Sequence, residues 1–484
     1  MTRVITAEVC VVGSGAGGSA AAATLAAAGK DVVLLEAGVH HDPATFDQRE
    51  ATMMPRLYAD AGMRMNADQS MVVMSGRGLG GSTTHNTGLA VPAPTAILER
   101  WAESGGLPVS PVEFSERQGA VMGRLGARLV DEDEINRNNA ILREGAAAMG
   151  LESEVVHHNR DRCSGCGFCM IGCAYNRKRN ALFAWLEQGV RDGLRIETGC
   201  PVGRVIEKGD GVELRGHGFM VRADAVVVAA SAIETPALLL RSALGVKGTI
   251  GRTLRLHPFA AVAGLFADRV EAWRGVPQSI LVTGGARFLK GQRGGYVLMA
   301  GAAGPAGTAA LVPGHGDEVR RTMAAFPHLG FAGVLLHDEG VGRVLARRDG
   351  RPVIKAWPTG DDAEGLRAGI RTLAELYFAA GASAVSLPFA CSGRVTDRES
   401  LDVALARPLR RHDVTLSSVH PQGSVPMGGA SSTAVRPDGR LRGTRRTWVA
   451  DGSLFPSSVG VPPQVAVMAM GSLVADAMIA EMSS

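Results

Sequence analysis

The sequence predicts a mixed α/β protein, with a discontinuous Rossmann-like domain and a second, α+β domain that contains an antiparallel sheet. Three observations carry this prediction. A strand, a glycine-rich turn, a helix and another strand follow one another between residues 8 and 36, which is the order of a βαβ unit. Two more short strand-like runs, at 225–230 and 448–451, lie far along the chain. A length of 484 residues allows two or three domains.

The separated strand runs set the predicted domain boundaries. We expect residues 1–90, 195–258 and 411–484 to form the first domain, because strands of one sheet can come from distant segments. Residues 91–194 and 259–410 would form the second domain, which includes a cysteine-rich segment at 161–179.

The glycine-rich turn has the spacing of a dinucleotide site. Gly13 permits a tight turn, Gly15 lets the backbone approach a pyrophosphate, and Gly18 lets the helix pack on the strand. Glu36 closes the second strand, where a carboxylate can accept hydrogen bonds from a ribose diol. The flanking strands and the terminal acid favour dinucleotide binding over a merely structural glycine turn.

Composition excludes several classes of protein. The chain is 46% apolar and 20% charged, as in ordinary globular proteins, which argues against long disorder. Its 51 basic and 47 acidic residues leave a net charge of only +4, too even and dispersed for a nucleic-acid-binding stripe. Nucleic acid is therefore not expected as a partner.

The ends of the sequence predict a cytoplasmic protein without a membrane span. The first fifteen residues show no charged region followed by a long apolar stretch and a cleavage site. The apolar stretch at 459–480 contains Pro462, Pro463, Gln464 and Asp476, which favours a buried helix approached by a loop.

Five motifs resemble one family. The run Gly76–Asn86 (GRGLGGSTTHN) is similar to a signature loop of the glucose-methanol-choline (GMC) oxidoreductases. The other runs that resemble the family, in its order, are 231–242 (SAIETPALLLRS), 251–258 (GRTLRLHP), 418–428 (SVHPQGSVPMG) and 450–456 (ADGSLFP). Ala243 stands where the family usually has glycine. The resemblance covers the whole chain and is greatest to a bacterial FAD-dependent dehydrogenase branch with a cysteine-rich insertion.

The resemblance implies a cofactor and the residues around it. FAD would lie along the glycine turn, with its pyrophosphate at Gly15 and Gly18 and its ribose at Glu36. Its ring would lie near the loop residues Gly80, Gly81, Ser82, His85 and Asn86. Val202 matches a position whose backbone contacts adenine, and Asp451 and Gly452 would approach the ribityl and pyrophosphate region. A helix or turn cap is the alternative role for Asp451.

The resemblance also places a catalytic base. Oxidation of an alcohol removes a hydroxyl proton and passes a hydride to flavin, and a histidine suits the proton transfer. His420 holds the matching position. His257, before Pro258, either lines the cavity or is a core histidine.

One position departs from the family pattern. The family places a second His or Asn about forty residues after the first, where this chain has Pro462. Proline has no side-chain donor or acceptor. Gln464, His257 or a residue of the second domain would have to replace it. His85 matches a position that in some members bonds covalently to flavin, and a histidine beside a noncovalent flavin is the favoured alternative.

The cysteine-rich segment has the spacing of an iron-sulfur site. Cys163, Cys166, Cys169 and Cys173 are spaced as in the bacterial ferredoxin run, without its terminal proline. We expect a 4Fe-4S or 3Fe-4S cluster, with Cys200 or Cys391 as possible substitutes for Cys173. Disulfides, free thiols and zinc are the alternatives. The basic triplet 177–179 would offset cluster charge or simply be solvated.

Together these motifs predict an FAD-dependent alcohol dehydrogenase. Its electrons would pass through the cluster to a ferredoxin, cytochrome or quinone-linked acceptor, because such clusters take one electron at a time. The alternatives are an oxygen-using alcohol oxidase with a structural cysteine segment, a noncatalytic electron-transfer flavoprotein, and a reductase of carbon-carbon double bonds. The substrate would be a small-molecule alcohol of a class that the sequence leaves open.

Overall fold

The computed structural model describes residues 2–302, 304–312, 315–390 and 393–483. Within them the helices are α1 (Ala16–Ala27), α2 (Glu50–Leu57), α3 (Thr95–Glu103), α4 (Pro111–Arg124), α5 (Arg137–Ala148), α6 (Glu187–Arg191), α7 (Ser231–Ser242), α8 (Pro305–Leu311), α9 (Asp317–Ala324), α10 (Asp361–Ala379), α11 (Arg398–Leu405) and α12 (Gln464–Met482). The strands are β1 (Arg3–Val12), β2 (Val32–Leu35), β3 (Met71–Val73), β4 (Arg128–Leu129), β5 (Ser153–Val155), β6 (His157–His158), β7 (Arg195–Glu197), β8 (Val202–Lys208), β9 (Gly211–Gly216), β10 (Phe219–Val228), β11 (Phe259–Leu265), β12 (Ile280–Val282), β13 (Tyr296–Ala300), β14 (Leu329–Leu336), β15 (Arg343–Ala346), β16 (Pro352–Lys355), β17 (Ala384–Ser386), β18 (Arg394–Val395), β19 (Leu416–Ser418) and β20 (Thr447–Val449).

The first sheet contains the predicted βαβ unit. Its strands run in the order β7-β2-β1-β10-β9-β8, with β20 also paired to β10. The pairs β1–β2, β1–β10, β2–β7 and β10–β20 are parallel. Strands from residues 3–35, 195–228 and 447–449 thus form one sheet, as the separated strand runs predict.

Small side chains let α1 lie close to this sheet. The helix begins after Gly15 and ends near Gly29, whose φ of +77° suits glycine. Its alanines at 20–22 are fully buried beside the equally buried Val9 and Val11 of β1. Alanine has the highest helix propensity and fills little space, so helix and strand pack at short range.

The second sheet has nine strands. Seven run in the order β18-β17-β11-β14-β13-β12-β5, β19 pairs with β11, and β3 pairs with β19. All its pairs are antiparallel except β3–β19. The predicted antiparallel sheet is therefore present. However, β3 and β19 come from segments that the sequence division places in the first domain.

Helices α3 and α4 also lie differently from the sequence division. Ile97, Trp101 and Phe114 are fully buried in the hydrophobic core of the first sheet, and α4 packs against α12. Ile97 and Trp101 are four residues apart on α3, so they share one face of that helix. Residues 95–124 thus pack with the first domain, although they were expected in the second.

Helix α12 is the apolar carboxy-terminal helix predicted from the sequence. By length and composition alone it could cross a membrane, with a mean hydropathy of 1.6. It packs against α1 and α4, and most of its residues are buried in the first core. Its apolar composition is thus explained by packing inside the protein.

Candidate active site

A cavity of about 2570 Å³ runs between the two sheets. Small-molecule sites usually hold about 300–1,000 Å³, so this cavity has room for more than one ligand. The glycine turn, Glu36 and the loop at 81–86 line one end of it. His420 and the inner face of the second sheet line another part.

The glycine turn forms a cradle that larger residues would fill. A Cβ on Gly13 would lie 2.4 Å from the Ala229 carbonyl oxygen, and one on Gly18 would lie 1.9 Å from the Gly13 carbonyl oxygen. A Cβ on Gly15 would meet nothing within 4 Å, so this residue faces open space at the start of α1. Free N–H groups at a helix start favour an anion there, and the cradle therefore fits a pyrophosphate.

Glu36 lies at the end of β2 and faces the cavity. Its carboxylate accepts hydrogen bonds from the Ser14 hydroxyl at 2.6 Å, from the Ser14 N–H at 3.1 Å and from the Gly38 N–H at 2.8 Å. The side chain is buried. These bonds hold the carboxylate at the edge of the cavity, next to the glycine turn.

The loop from Gly80 to Asn86 packs directly on the turn. A Cβ on Gly81 would lie 2.8 Å from the Gly15 Cα, and the Ser82 hydroxyl accepts a hydrogen bond from the Gly76 N–H at 2.9 Å. Asn86 donates its side-chain amide to the Gln464 carbonyl oxygen at 2.8 Å. The structure thus brings this loop and the glycine turn to one wall of the cavity.

His85 is buried within this loop. Its ring lies 3.9 Å from the ring of Tyr58, and its Nε2 has no hydrogen-bond partner. Burial, aided by the nearby charge of Lys178, lowers the pKa of His85 to about 3. The imidazole is therefore neutral at physiological pH.

Val202, Asp451 and Gly452 line the cavity from other elements. The Asp451 carboxylate accepts hydrogen bonds from the N–H groups of Ser453 at 2.8 Å and Ser231 at 2.9 Å, and from the Thr235 hydroxyl at 2.5 Å. It therefore caps the turn at 452–454, which is the alternative role considered for it, while it borders the cavity. Burial raises the pKa of this carboxyl.

His420 and His257 lie side by side. Their ring centroids are 5.6 Å apart with the planes at 81°, and both Nδ1 atoms lack a partner. His420 borders the cavity, whereas His257 is fully buried behind it. Burial lowers the pKa of His420 to about 4, and burial together with the neighbouring histidines lowers that of His257 well below its usual value. Both rings are neutral near pH 7.

Gln464 borders the cavity, but other protein groups occupy its side-chain amide. Its nitrogen donates to the Leu89 carbonyl, and its oxygen accepts from Asn86. His257 Nε2 accepts a hydrogen bond from the Gly460 N–H at 2.9 Å. Neither Gln464 nor His257 therefore presents a free donor or acceptor to the cavity. Such a group was expected to replace the side chain that is missing at Pro462.

Asp338 is a site residue that the sequence reasoning missed. Its buried carboxylate accepts hydrogen bonds from the Leu256 N–H at 2.7 Å, the His257 N–H at 3.3 Å and the Ser458 hydroxyl at 2.7 Å. Burial raises its pKa to about 6. The sequence did contain a signal for this residue, because the polar run 337–339 follows directly on an apolar strand.

The four cysteines of the cysteine-rich segment line a second, small cavity of about 20 Å³. None of the six cysteines in the described ranges forms a disulfide, and Cys391 lies outside those ranges. Burial raises the pKa of Cys163, and it raises that of Cys169 to about 11. No three His, Cys, Asp or Glu side chains in the described ranges are placed to hold one metal ion.

Two buried cations adjoin these thiols. Arg160 and Lys178 are about 95% buried and line the same small cavity. Lys178 donates hydrogen bonds to the Cys169 carbonyl at 3.0 Å and to the Asn86 carbonyl at 2.6 Å. Of the basic triplet, Lys178 alone is fully turned inward, and it joins the cysteine segment to the loop at 80–86.

Sequence models of known families match most of the chain. A GMC oxidoreductase amino-terminal model matches residues 54–259, and the carboxy-terminal GMC oxidoreductase model matches 339–471. An NAD(P)-binding Rossmann-like domain model matches 11–51. An uncharacterised GMC-type oxidoreductase of Mycobacterium tuberculosis is 35% identical over 99% of this chain and 76% of its own length. The chain belongs to the GMC oxidoreductase family.

A characterised relative and a solved structure are also similar to this chain. A long-chain-alcohol oxidase of Arabidopsis thaliana is 28% identical over 96% of this chain and 67% of its own length. The crystal structure of pyridoxine 4-oxidase from Mesorbium loti superposes with a TM-score of 0.74 at 21% identity, covering 97% of this chain and 98% of that one. The protein is an FAD-dependent oxidoreductase that acts on CH–OH donors.

Proposed function

We propose that this GMC oxidoreductase is an alcohol dehydrogenase in which His420 removes the hydroxyl proton. The observation that carries the proposal is a neutral histidine whose side chain borders the cavity. A base must be unprotonated and within reach of the proton that it takes. His420 meets the first condition near pH 7, and its place at the cavity wall supports the second.

The residues around the glycine turn fit FAD. Gly13, Gly15 and Gly18 leave room for a pyrophosphate, and Glu36 stands where a ribose would lie. When bound, the flavin supplies the acceptor for the substrate hydride. The loop Gly80–Asn86 together with Val202, Asp451 and Gly452 would hold the rest of the cofactor. We propose a noncovalent flavin, because His85 Nε2 points toward the Gly76 backbone.

We assign His257 a positioning role beside His420. Its Nε2 accepts the Gly460 N–H, so the ring proton of the neutral form lies on Nδ1. Asp338 accepts a hydrogen bond from the backbone N–H of His257, and the His257 ring meets the His420 ring edge to face. His257 does not border the cavity, so it acts on the substrate only through His420.

We further propose that Cys163, Cys166, Cys169 and Cys173 bind an iron-sulfur cluster. They line one small cavity, although in the described residues they are not placed to hold a metal ion together. A cluster distributes its thiolates over several irons. Arg160 and Lys178 would neutralise part of the charge of those thiolates. The cavity is smaller than a cluster, so binding would have to widen the loop and release the thiol protons.

The two cavities adjoin each other, and we propose that electrons would pass between them. Thr87 lines both cavities, and Lys178 bridges the loop at 80–86 and the cysteine loop. Electrons would leave through the cluster for a ferredoxin, cytochrome or quinone-linked acceptor. The cytoplasmic location stays a prediction.

Iron analysis tests the cluster. Protein purified without oxygen should contain iron and acid-labile sulfide, and Cys166→Ser should lose both while it retains FAD. Cys200→Ser is the matched control, because Cys200 lies outside the small cavity. Absence of iron and sulfide from the unmutated protein would favour the alternative, an oxygen-using oxidase with a structural cysteine segment.

A further inference from the structure

The inner face of the second sheet forms an apolar floor beside His420. We use "apolar floor" for Phe259, Ala261, Ala263, Met299, Phe331 and Leu335, all of which border the large cavity. None of these side chains can donate a hydrogen bond or carry a charge.

Strand register places the floor residues on one face. Phe259 pairs with Leu335 and Ala263 with Phe331 across β11 and β14, while Ala261 pairs with Gly333. Met299 pairs with Gly333 on the other side of β14. Directly paired residues point to the same face of a sheet, so the floor is continuous across three strands.

The floor begins at the catalytic end of the cavity. Phe259 pairs with Ser417 of β19, which ends two residues before His420. From there β11 runs away for six residues to Leu265, a span of roughly 20 Å at the rise of a strand. The small side chains of Ala261 and Ala263 leave space above the middle of the floor.

Further apolar side chains, four of them methionines, border the cavity. These are Met54, Met63, Met65, Met74 and Phe168. Methionine adapts to ligands of irregular shape. Met63 is 71% exposed.

Three of the polar side chains at the cavity bond to other protein groups. Gln278 and Thr87 hydrogen-bond to each other, and Arg64 donates to Asp60 and Glu234 at 2.7 Å each, although its Nη1 has no partner. The floor itself offers no partner to the hydroxyl groups of a sugar that faces it, which is costly in a buried site.

We infer that the substrate is an alcohol whose body is a bulky hydrocarbon, with the hydroxyl at His420 and the hydrocarbon over the apolar floor. This inference rests on the proposed function. It names the substrate class of the same site, and both a flexible chain and a fused-ring body share the required chemistry.

Substrate profiling tests the inference. The holoenzyme is assayed without oxygen, with an artificial one-electron dye, on a series of straight-chain primary alcohols, on cholesterol, and on glucose and choline. We expect kcat/KM to rise by up to about fourfold per methylene, the factor for full burial of a CH₂ group, until the floor is covered. The cholesterol arm separates a rigid body from a flexible one.

A substitution on the floor provides the second arm. Ala261→Phe should lower kcat/KM for dodecanol by about tenfold or more and change that for butanol by less than about threefold. Ala147→Phe, on an exposed part of α5, is the matched control, and FAD content verifies folding. Faster turnover of glucose or choline than of every apolar alcohol, or no effect of Ala261→Phe, would overturn the inference and leave the proposed function intact. Failure of every alcohol to bleach the flavin would overturn both.

Discussion

At the scale of single residues, the proposed removal of the hydroxyl proton depends on a neutral His420. Its ring borders the cavity, and burial lowers its pKa to about 4. A base with this pKa is unprotonated throughout the physiological range. The proton that it takes from the substrate must then pass on, because the low pKa disfavours its retention.

Substitution of His420 should abolish most of the catalysis. His420→Ala should lower kcat by about two to four orders of magnitude, the usual contribution of a general base. The flavin should stay bound, because His420 is not part of the glycine cradle. In the unmutated enzyme kcat/KM should fall only as the pH approaches about 4, where His420 becomes protonated. Turnover of His420→Ala close to that of the unmutated enzyme would remove it from this role.

The sequence indicates the identity of site residues better than their partners. The motif spacing selects Gly15 and Glu36, and the family resemblance selects His420; all three border the large cavity, and their roles stay predictions. The sequence could not show that the Gln464 amide is occupied by Asn86 and Leu89, because those contacts join segments far apart in the chain. Nor could it show that Asp338 holds the backbone of His257.

At the scale of elements, local patterns predict helices and strands whose contacts are local. The βαβ unit is such a case, since its turn, helix and strands adjoin in sequence. The strands β3 and β19 are the opposite case. Each has three residues, and their mutual pairing joins residues about 345 positions apart. Their place in the second sheet depends on tertiary contacts that no local pattern contains.

The cysteine loop also depends on a contact with a distant segment, which Lys178 makes. Lys178→Met removes a buried cation and both of its hydrogen bonds, and each hydrogen bond to a charged group contributes about 1.5–3 kcal/mol. The variant should lose most of its iron and retain its FAD, whereas Lys178→Arg should retain part of the iron. Metal analysis of the purified variants measures this.

Arg162 supplies the control for that experiment. It lies in the same segment, but its side chain is 79% exposed. Arg162→Met should therefore retain its iron. Full iron content in Lys178→Met would contradict the role given to the buried cation.

At the scale of the whole molecule, four buried histidines and the half-buried His420 make stability depend on pH. Burial keeps the pKa values of His85, His158, His257, His337 and His420 below the usual 6.5. Below about pH 6.5 the unfolded chain binds protons that the folded chain does not, so the free energy of unfolding falls as the pH falls. Asp338 has the opposite effect, because burial raises its pKa from 3.8 to about 6. Between these two pH values the folded chain binds a proton at Asp338 that the unfolded chain does not, which offsets part of the loss of stability.

Acid should therefore destabilise the holoenzyme. Each histidine contributes up to about 1.4 kcal/mol per pH unit below its unfolded pKa, so the midpoint of urea unfolding should fall clearly between about pH 7 and pH 5. His217→Gln should leave the change intact, because His217 is exposed. A midpoint that is equal or higher at the lower pH would refute this prediction.

The large cavity joins these scales, because it brings the glycine cradle, His420 and the apolar floor to one space beside the cysteine loop. We propose that an alcohol held in this cavity is oxidised when His420 accepts its hydroxyl proton and the flavin accepts a hydride from its carbon. Anaerobic addition of a long-chain alcohol to the purified holoenzyme, followed in the visible spectrum, tests this most directly. We predict that the flavin absorbance of the unmutated protein bleaches within the dead time of manual mixing, while His420→Ala bleaches at least about a hundredfold more slowly. Equal rates in the two proteins, or no bleaching by any alcohol, would contradict it.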